Sequence, residues 1–228
     1  MNTTITDIFF DLDHTLWDFD KNSEMAFDRI FSEKYSEVRV EDFIEKYAPI
    51  NQACWKLYQE DKITHQELRY NRLKLSFEAL NYTISDESIN QIANDYIDFL
   101  PDNNYLFDGT IEVLEYLRPK YKLHIITNGF ANVQDRKISN AALGSYFTTI
   151  TNSESAGVKK PNSIIFDYAV NLAQTSKENS IMIGDDFDAD VNGALNAGLD
   201  AIFFNVKNIE VPQKYKQINH LLELKKYL

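Results

Sequence analysis

Asp11 and Asp13 flank a single leucine directly after the apolar run Ile8-Phe9-Phe10, and Thr15 follows two positions on. A short run of β-branched and aromatic residues like this one reads as a strand buried on both faces. Side chains alternate along a strand, so positions 11 and 13 project the same way where it ends. Adjacent carboxylates repel unless a cation lies between them or one holds a proton. Both remedies serve chemistry: one acid attacks as a nucleophile beside a divalent cation, and its neighbour shuttles a proton.

Three further polar clusters carry candidate chemistry. Thr127-Asn128-Gly129 follows the apolar pair Ile125-Ile126. A hydroxyl and exposed N–H groups there can hold phosphoryl oxygens, although the same tripeptide also makes an ordinary turn. In Lys159-Lys160-Pro161 the residue before proline is driven toward an extended backbone, which aims an ammonium into a cleft or leaves a solvated surface pair. Gly184-Asp185-Asp186-Phe187-Asp188-Ala189-Asp190 is dense in acids directly after Ile181-Met182-Ile183. Such oxygens suit Mg²⁺, which takes one or two carboxylates and keeps several waters. Asp186 or Asp188 also fits as a helix N-cap. A calcium-binding EF-hand loop is excluded, because its central Gly and terminal Glu are missing at the required spacing.

The elements that must position these residues follow from periodicity. Strands are expected at Lys122–Thr127, Phe147–Thr151, Ser180–Gly184 and Ala201–Asn205. Helices are expected at Asn132–Leu143, Ser163–Ala173, Asp188–Ala197 and His220–Tyr227. Alternating strands and helices predict an α/β fold with a doubly wound parallel sheet, to which the first strand also belongs. In such sheets ligands bind beyond the carboxyl ends of the strands, and Asp11, Thr127 and Asp185 all fall there. Between them the pattern changes. Glu24–Phe31, Glu41–Gln59, Gln66–Leu80 and Glu87–Phe99 show helical spacing with no glycine, and Pro49 is expected to kink or split the second stretch. Thr64 with Glu67 reads as a capping box, whereas Ser85 lacks the matching partner, so Asp86 is the expected cap there. The expected domains are an α/β core of residues 1–17 and 104–228 and an inserted all-helical cap of residues 18–103.

Bulk properties narrow the partners. The chain has 228 residues and a net charge of −12. That charge argues against nucleic-acid polymers and against a polybasic membrane contact. It does not exclude a small anionic substrate, since one metal ion and one lysine reverse the sign locally. The single Cys54 rules out an internal disulfide, no apolar run spans a bilayer, and no secretory leader is recognisable. A cytoplasmic, monomeric enzyme is the default expectation.

Taken in order, Asp11-Leu12-Asp13-His14-Thr15, Ile126-Thr127-Asn128-Gly129, Lys160-Pro161 and Gly184-Asp185 with Asp190 resemble the motifs of the haloacid dehalogenase superfamily, the Mg²⁺-dependent aspartyl phosphatases. The resemblance covers the whole chain and implies a Rossmann-like core with a helical cap. It implies that Asp11 is the nucleophile, Asp13 the acid and base, and Thr127 and Lys160 the phosphoryl-holding groups. It places Mg²⁺ on Asp11, the main-chain carbonyl of Asp13 and Asp185, with Asp190 orienting Lys160 or a metal-bound water, and Asp186 as an alternative ligand. Dehalogenating relatives lack an acid at the position of Asp13, so its presence points to phosphate transfer. Asn51, Trp55, Tyr58, Arg72 and Thr127-Asn128-Gly129-Phe130 are similar to the bacterial pyrimidine 5′-nucleotidases, which act on nucleoside monophosphates. Asn128, Phe130, Arg72 and Trp55 are then the expected substrate contacts. A phosphatase of phosphoglycolate or sugar phosphates, a β-phosphoglucomutase-like mutase and a non-catalytic binding module are the alternatives.

Overall fold

The computed structural model describes residues 4–228, so the first three residues assigned to the core lie outside the described residues. Strand β1 is Asp7–Phe10, and the chain then leaves the sheet for four long helices. These are α1 (Phe19–Lys34), α2 (Val40–Gln59), α3 (His65–Ala79) and α4 (Asp86–Phe99). It returns through α5 (Thr110–Leu117), β2 (Lys122–Thr127), α6 (Ala131–Asn140), β3 (Thr149–Asn152), α7 (Ser153–Ala156) and α8 (Ser163–Ala173). β4 (Ser180–Gly184), a single π turn (Phe187–Asn192), α9 (Gly193–Ala197), β5 (Asp200–Phe204) and the two-residue β6 (Gln217–Ile218) complete it. The chain divides into two compact units, Phe19–Asn104 and the remainder.

In the α/β unit all six strands are parallel, in the order β3-β2-β1-β4-β5-β6. The chain runs outward from β1 through β2 and β3, then crosses back to β4 on its other side. The reversal leaves a crevice beyond the carboxyl end of β1, flanked by those of β2 and β4. Phe10 is in register with both Ile125 and Ile183, so the residues following these positions emerge at one rim. Every residue of β1 and β4 is buried, which explains why both read as continuous apolar runs rather than alternating ones. Phe9, Ile126 and Met182 pack on one face against Ile165, Phe166, Ala169 and Ala194 of α8 and α9.

The helical unit has its own core of rings. Phe27 lies 4.5–5.7 Å from Phe31, Phe43, Tyr47 and Tyr96, ring centre to ring centre. α2 passes through Pro49 as one helix, so the expected split does not occur. The capping box of Thr64 and Glu67 is present. Ser85, rather than Asp86, caps α4, its hydroxyl accepting from the Ser88 N–H at 3.1 Å; a hydroxyl alone suffices without the reciprocal acid. The closing segment is 3₁₀ over Leu221–Lys226 instead of α-helical.

Candidate active site

The site begins with a tight turn after β1. The Asp11 N–H still donates to Ile183 O at 2.9 Å, holding Asp11 in the sheet. The Leu12 carbonyl then accepts from Leu16 and Trp17, and His14 takes the left-handed φ of 61°. The chain curls back so that the Thr15 hydroxyl approaches Asp185 at 3.4 Å.

Lys160 comes from the loop between α7 and α8 and is fixed from both ends. Its backbone N–H donates to Asn128 Oδ1 at 2.8 Å, and Asn128 Nδ2 donates to its carbonyl at 3.0 Å. Its peptide bond to Pro161 is cis. Its ammonium, 2% exposed, donates to Asp11 Oδ1 at 2.6 Å and to the Ile126 carbonyl at 2.7 Å. It also pairs with Asp190 Oδ1 at 2.6 Å as an ion contact rather than a directed hydrogen bond.

Asp190 owes its place to the π turn, a local irregularity that often marks functional sites. Asp186 caps that turn, its Oδ1 accepting from the Asp188 and Ala189 N–H groups at 3.0 and 2.9 Å. Asp190 Oδ2 accepts from the Asp186 N–H at 3.1 Å. A Cβ at Gly184 would stand 2.1 Å from that same oxygen, so only glycine fits there.

Asp11, Asp185 and Asp190 offer oxygens that all lie within 4.8 Å of one another. Three carboxylates against one ammonium leave a formal charge of 1 − 3 = −2. Burial, supported by Asp190 and Asp13 and opposed by Lys160, pushes the Asp11 carboxyl up to about 8. Burial, then Asp11 and Asp190, hold the Asp185 carboxyl well above its ordinary range. Asp190 is also raised by burial, against the pull of Lys160. A crowded, all-oxygen acid set of this kind fits a hard divalent cation such as magnesium.

Asp13 is held by two residues of α6 that the sequence reading missed, and one of them, Gln134, also joins it to Thr127. Gln134 Nε2 donates to Asp13 Oδ2 at 2.8 Å and to Thr127 Oγ1 at 2.7 Å. Lys137 Nζ donates to Asp13 Oδ1 at 2.7 Å and lies 4.3 Å from the Trp17 ring centre. A signal was available: Gln134 and Lys137 share the buried stripe of α6 with Val133 and Ile138, where apolar residues belong.

Both ends of the Asn128 amide bind the Lys160 backbone, so its side chain positions that lysine. Asp186 caps the π turn through one carboxylate oxygen and stands outside the three-acid cluster. Phe130 is buried at the start of α6. Arg72 and Trp55 belong to the helical unit. There Arg72 is buried, donates to Asn51 Oδ1 at 3.2 Å and stacks 5.0 Å from Tyr96, while Trp55 is half-buried against Tyr58.

Residues 8–204 match the family of haloacid dehalogenase-like hydrolases. The pyrimidine 5′-nucleotidase YjjG of Escherichia coli K12 is 33% identical over 90% of this chain and 88% of its own. The pyrimidine 5′-nucleotidase PynA of Streptococcus pneumoniae R6 is 30% identical over 89% and 85%. The crystal structure of the HAD-hydrolase YfnB of Bacillus subtilis bound to magnesium superposes with a TM-score of 0.88 at 28% identity, covering 99% of both chains. The chain therefore belongs to the haloacid dehalogenase-like hydrolases. Within that family it is a phosphoric monoester hydrolase.

Proposed function

We propose that this hydrolase cleaves pyrimidine nucleoside monophosphates through an aspartyl-phosphate on Asp11. The observation that carries the reading is the contact between the Asp11 carboxylate and Lys160 inside the cluster that also holds Asp185 and Asp190. An oxygen of Asp11 attacks phosphorus, and the bond to the nucleoside oxygen breaks as Asp13 gives that oxygen its proton. A water then attacks the aspartyl-phosphate while Asp13 takes its proton, releasing inorganic phosphate and restoring Asp11. Lys160 and the Thr127 hydroxyl hold phosphoryl oxygens. Asp11, Asp185 and the Asp13 carbonyl are the ligands proposed for Mg²⁺, and Asp190 orients Lys160. The cation supplies positive charge that lets an anionic oxygen approach an anionic ester.

The substrate assignment rests on the likeness to YjjG and PynA. Arg72, Trp55 and Phe130 are the groups proposed to read the base.

Phosphate release from a panel of nucleoside monophosphates, sugar phosphates and phosphoglycolate tests the assignment. Pyrimidine monophosphates should give the highest kcat/KM; a sugar phosphate or phosphoglycolate in first place would refute it. Asp11→Asn should lower kcat at least about 10³-fold while leaving the circular dichroism spectrum unchanged. Wild-type turnover in that variant would remove the nucleophile.

A further inference from the structure

The mechanism leaves unexplained why a lysine and a glutamine are buried side by side on α6. Gln134 and Lys137 are 1% and 2% exposed and sit three residues apart on one helix face. Each takes a different oxygen of Asp13, so both oxygens of that carboxylate are held by one rigid element.

Gln134 does a second thing. Its Nε2 has two N–H bonds, one directed at Asp13 and one at Thr127, so its donor capacity is full. The opposite amide orientation would set a carbonyl oxygen against the Asp13 carboxylate, which fixes the assignment. Thr127 Oγ1 accepts from this amide and from the Gly129 N–H at 3.1 Å. Both of its acceptor sites are therefore filled, and its own proton must be donated elsewhere. Gln134 thus determines that Thr127 presents a donor, the polarity a phosphoryl oxygen requires. Gly129 is part of the same device: a Cβ there would lie 2.4 Å from Gln134 Cδ and Nε2. Trp17, 4.3 Å from the Lys137 ammonium, presents a ring face to its charge.

We infer that Gln134 and Lys137 are positioning residues for phosphoryl transfer, which aim the Asp13 carboxylate and, through Gln134, make the Thr127 hydroxyl an obligate donor. The inference rests on the acid–base role proposed for Asp13.

The test is the dependence of kcat/KM on the leaving group, from nitrophenyl phosphate, which needs little protonation, to an alkyl phosphate, which needs it fully. It is run on the Mg²⁺-supplied wild type, Lys137→Met, Lys137→Arg, Gln134→Met, Asp13→Asn and the double variant Asp13→Asn/Lys137→Met. Lys137→Met should lose about 10–100-fold more on the alkyl ester than on the aryl ester, as an impaired general acid does. Lys137→Arg should recover part of that difference. Adding Lys137→Met to Asp13→Asn should cost less than about threefold further, because its effect runs through Asp13. Gln134→Met should show the same leaving-group signature together with a raised KM, from the loss of Thr127 polarity. It is uncharged and near in size, so it reads the inference even where Lys137→Met folds poorly. Equal losses on both esters in Lys137→Met and Gln134→Met, with a steep loss in Asp13→Asn, would overturn the inference and leave the acid–base role standing. Equal losses in Asp13→Asn itself would overturn both.

Discussion

Gly184 matters for the side chain it does not have. The space a Cβ would fill is occupied by Asp190 Oδ2, and Asp190 in turn pairs with the lysine that touches Asp11. Gly184→Ala should displace Asp190, lower kcat at least about tenfold and destabilise the fold by about 1–3 kcal/mol as an overpacked site does. Steady-state kinetics and urea titration together check this; an unchanged kcat would show that Asp190 does not govern Lys160. That Asp11, Thr127 and Asp185 would emerge at one rim was legible in the sequence, because each follows or ends an apolar run whose burial is itself readable; Lys160 lies in a loop and was marked only by the proline after it. The role of Asn128 was not legible. A Thr-Asn-Gly turn gives no sign that its amide clasps a backbone 32 residues away. Gln134 and Lys137 were hidden for a different reason. A polar residue on an amphipathic helix is assigned to the wet face unless its phase is checked against the apolar stripe.

At the level of elements, β2 carries a second buried polar contact at its amino end. His124, fully buried, lies 3.1 Å from Asp7 Oδ1 and 2.8 Å from the Thr149 hydroxyl, stacked on Phe9. A neutral imidazole with its proton on Nε2 satisfies both contacts. Burial holds the His124 pKa below its ordinary value despite the pull of Asp7. Burial raises Asp7, but hydrogen bonds from Thr6, Thr175 and His124 bring it below its ordinary value. With His124 depressed, the unfolded chain takes up a proton below about pH 6.5 that the folded chain refuses, so stability falls with pH from there. The Asp7 contribution is present above about pH 4 and is lost as pH falls through its lowered folded value. Urea midpoints at pH 7.5 and 5.5, taken with magnesium present, should show this loss, and His124→Asn should flatten it while costing about 1–3 kcal/mol at pH 7.5. A slope unchanged in His124→Asn would assign it elsewhere. Magnesium matters because a raised Asp11 acts with the opposite sign: without a cation its folded pKa of about 8 removes stability as pH rises. β1 and β4 were the strands best read from sequence, since burial of every residue favours apolar side chains there. α5 was not among the expected helices, and β6 is too short for any periodicity. The π turn was read as ordinary helix, because apolar spacing over six residues does not separate the two.

For the molecule as a whole, the crowded acids make stability and cation binding one equilibrium. Magnesium at 100 times its Kd should stabilise the protein by about 2.7 kcal/mol, seen as a Tm that rises on titration and falls back with EDTA. Asp185→Asn should raise the Tm of the cation-free protein, since it removes one of three clustered charges, and should abolish the response to magnesium. A full magnesium response in Asp185→Asn would take that residue out of the ligand set.

The α/β unit also ties together the two points where the helical segment leaves and rejoins it. The Asp18 N–H donates to Tyr105 O at 3.0 Å, the Phe107 N–H to Leu16 O at 3.0 Å, and Trp17 bridges to Leu106. Because the ends already meet, the length and content of what lies between them hardly burden chain closure, whose entropy grows only slowly with loop length. The junction behaves as a socket: the segment between Asp18 and Tyr105 could be replaced by another of different length whose ends lie equally close, with the pairing of the α/β unit across the junction left as it stands.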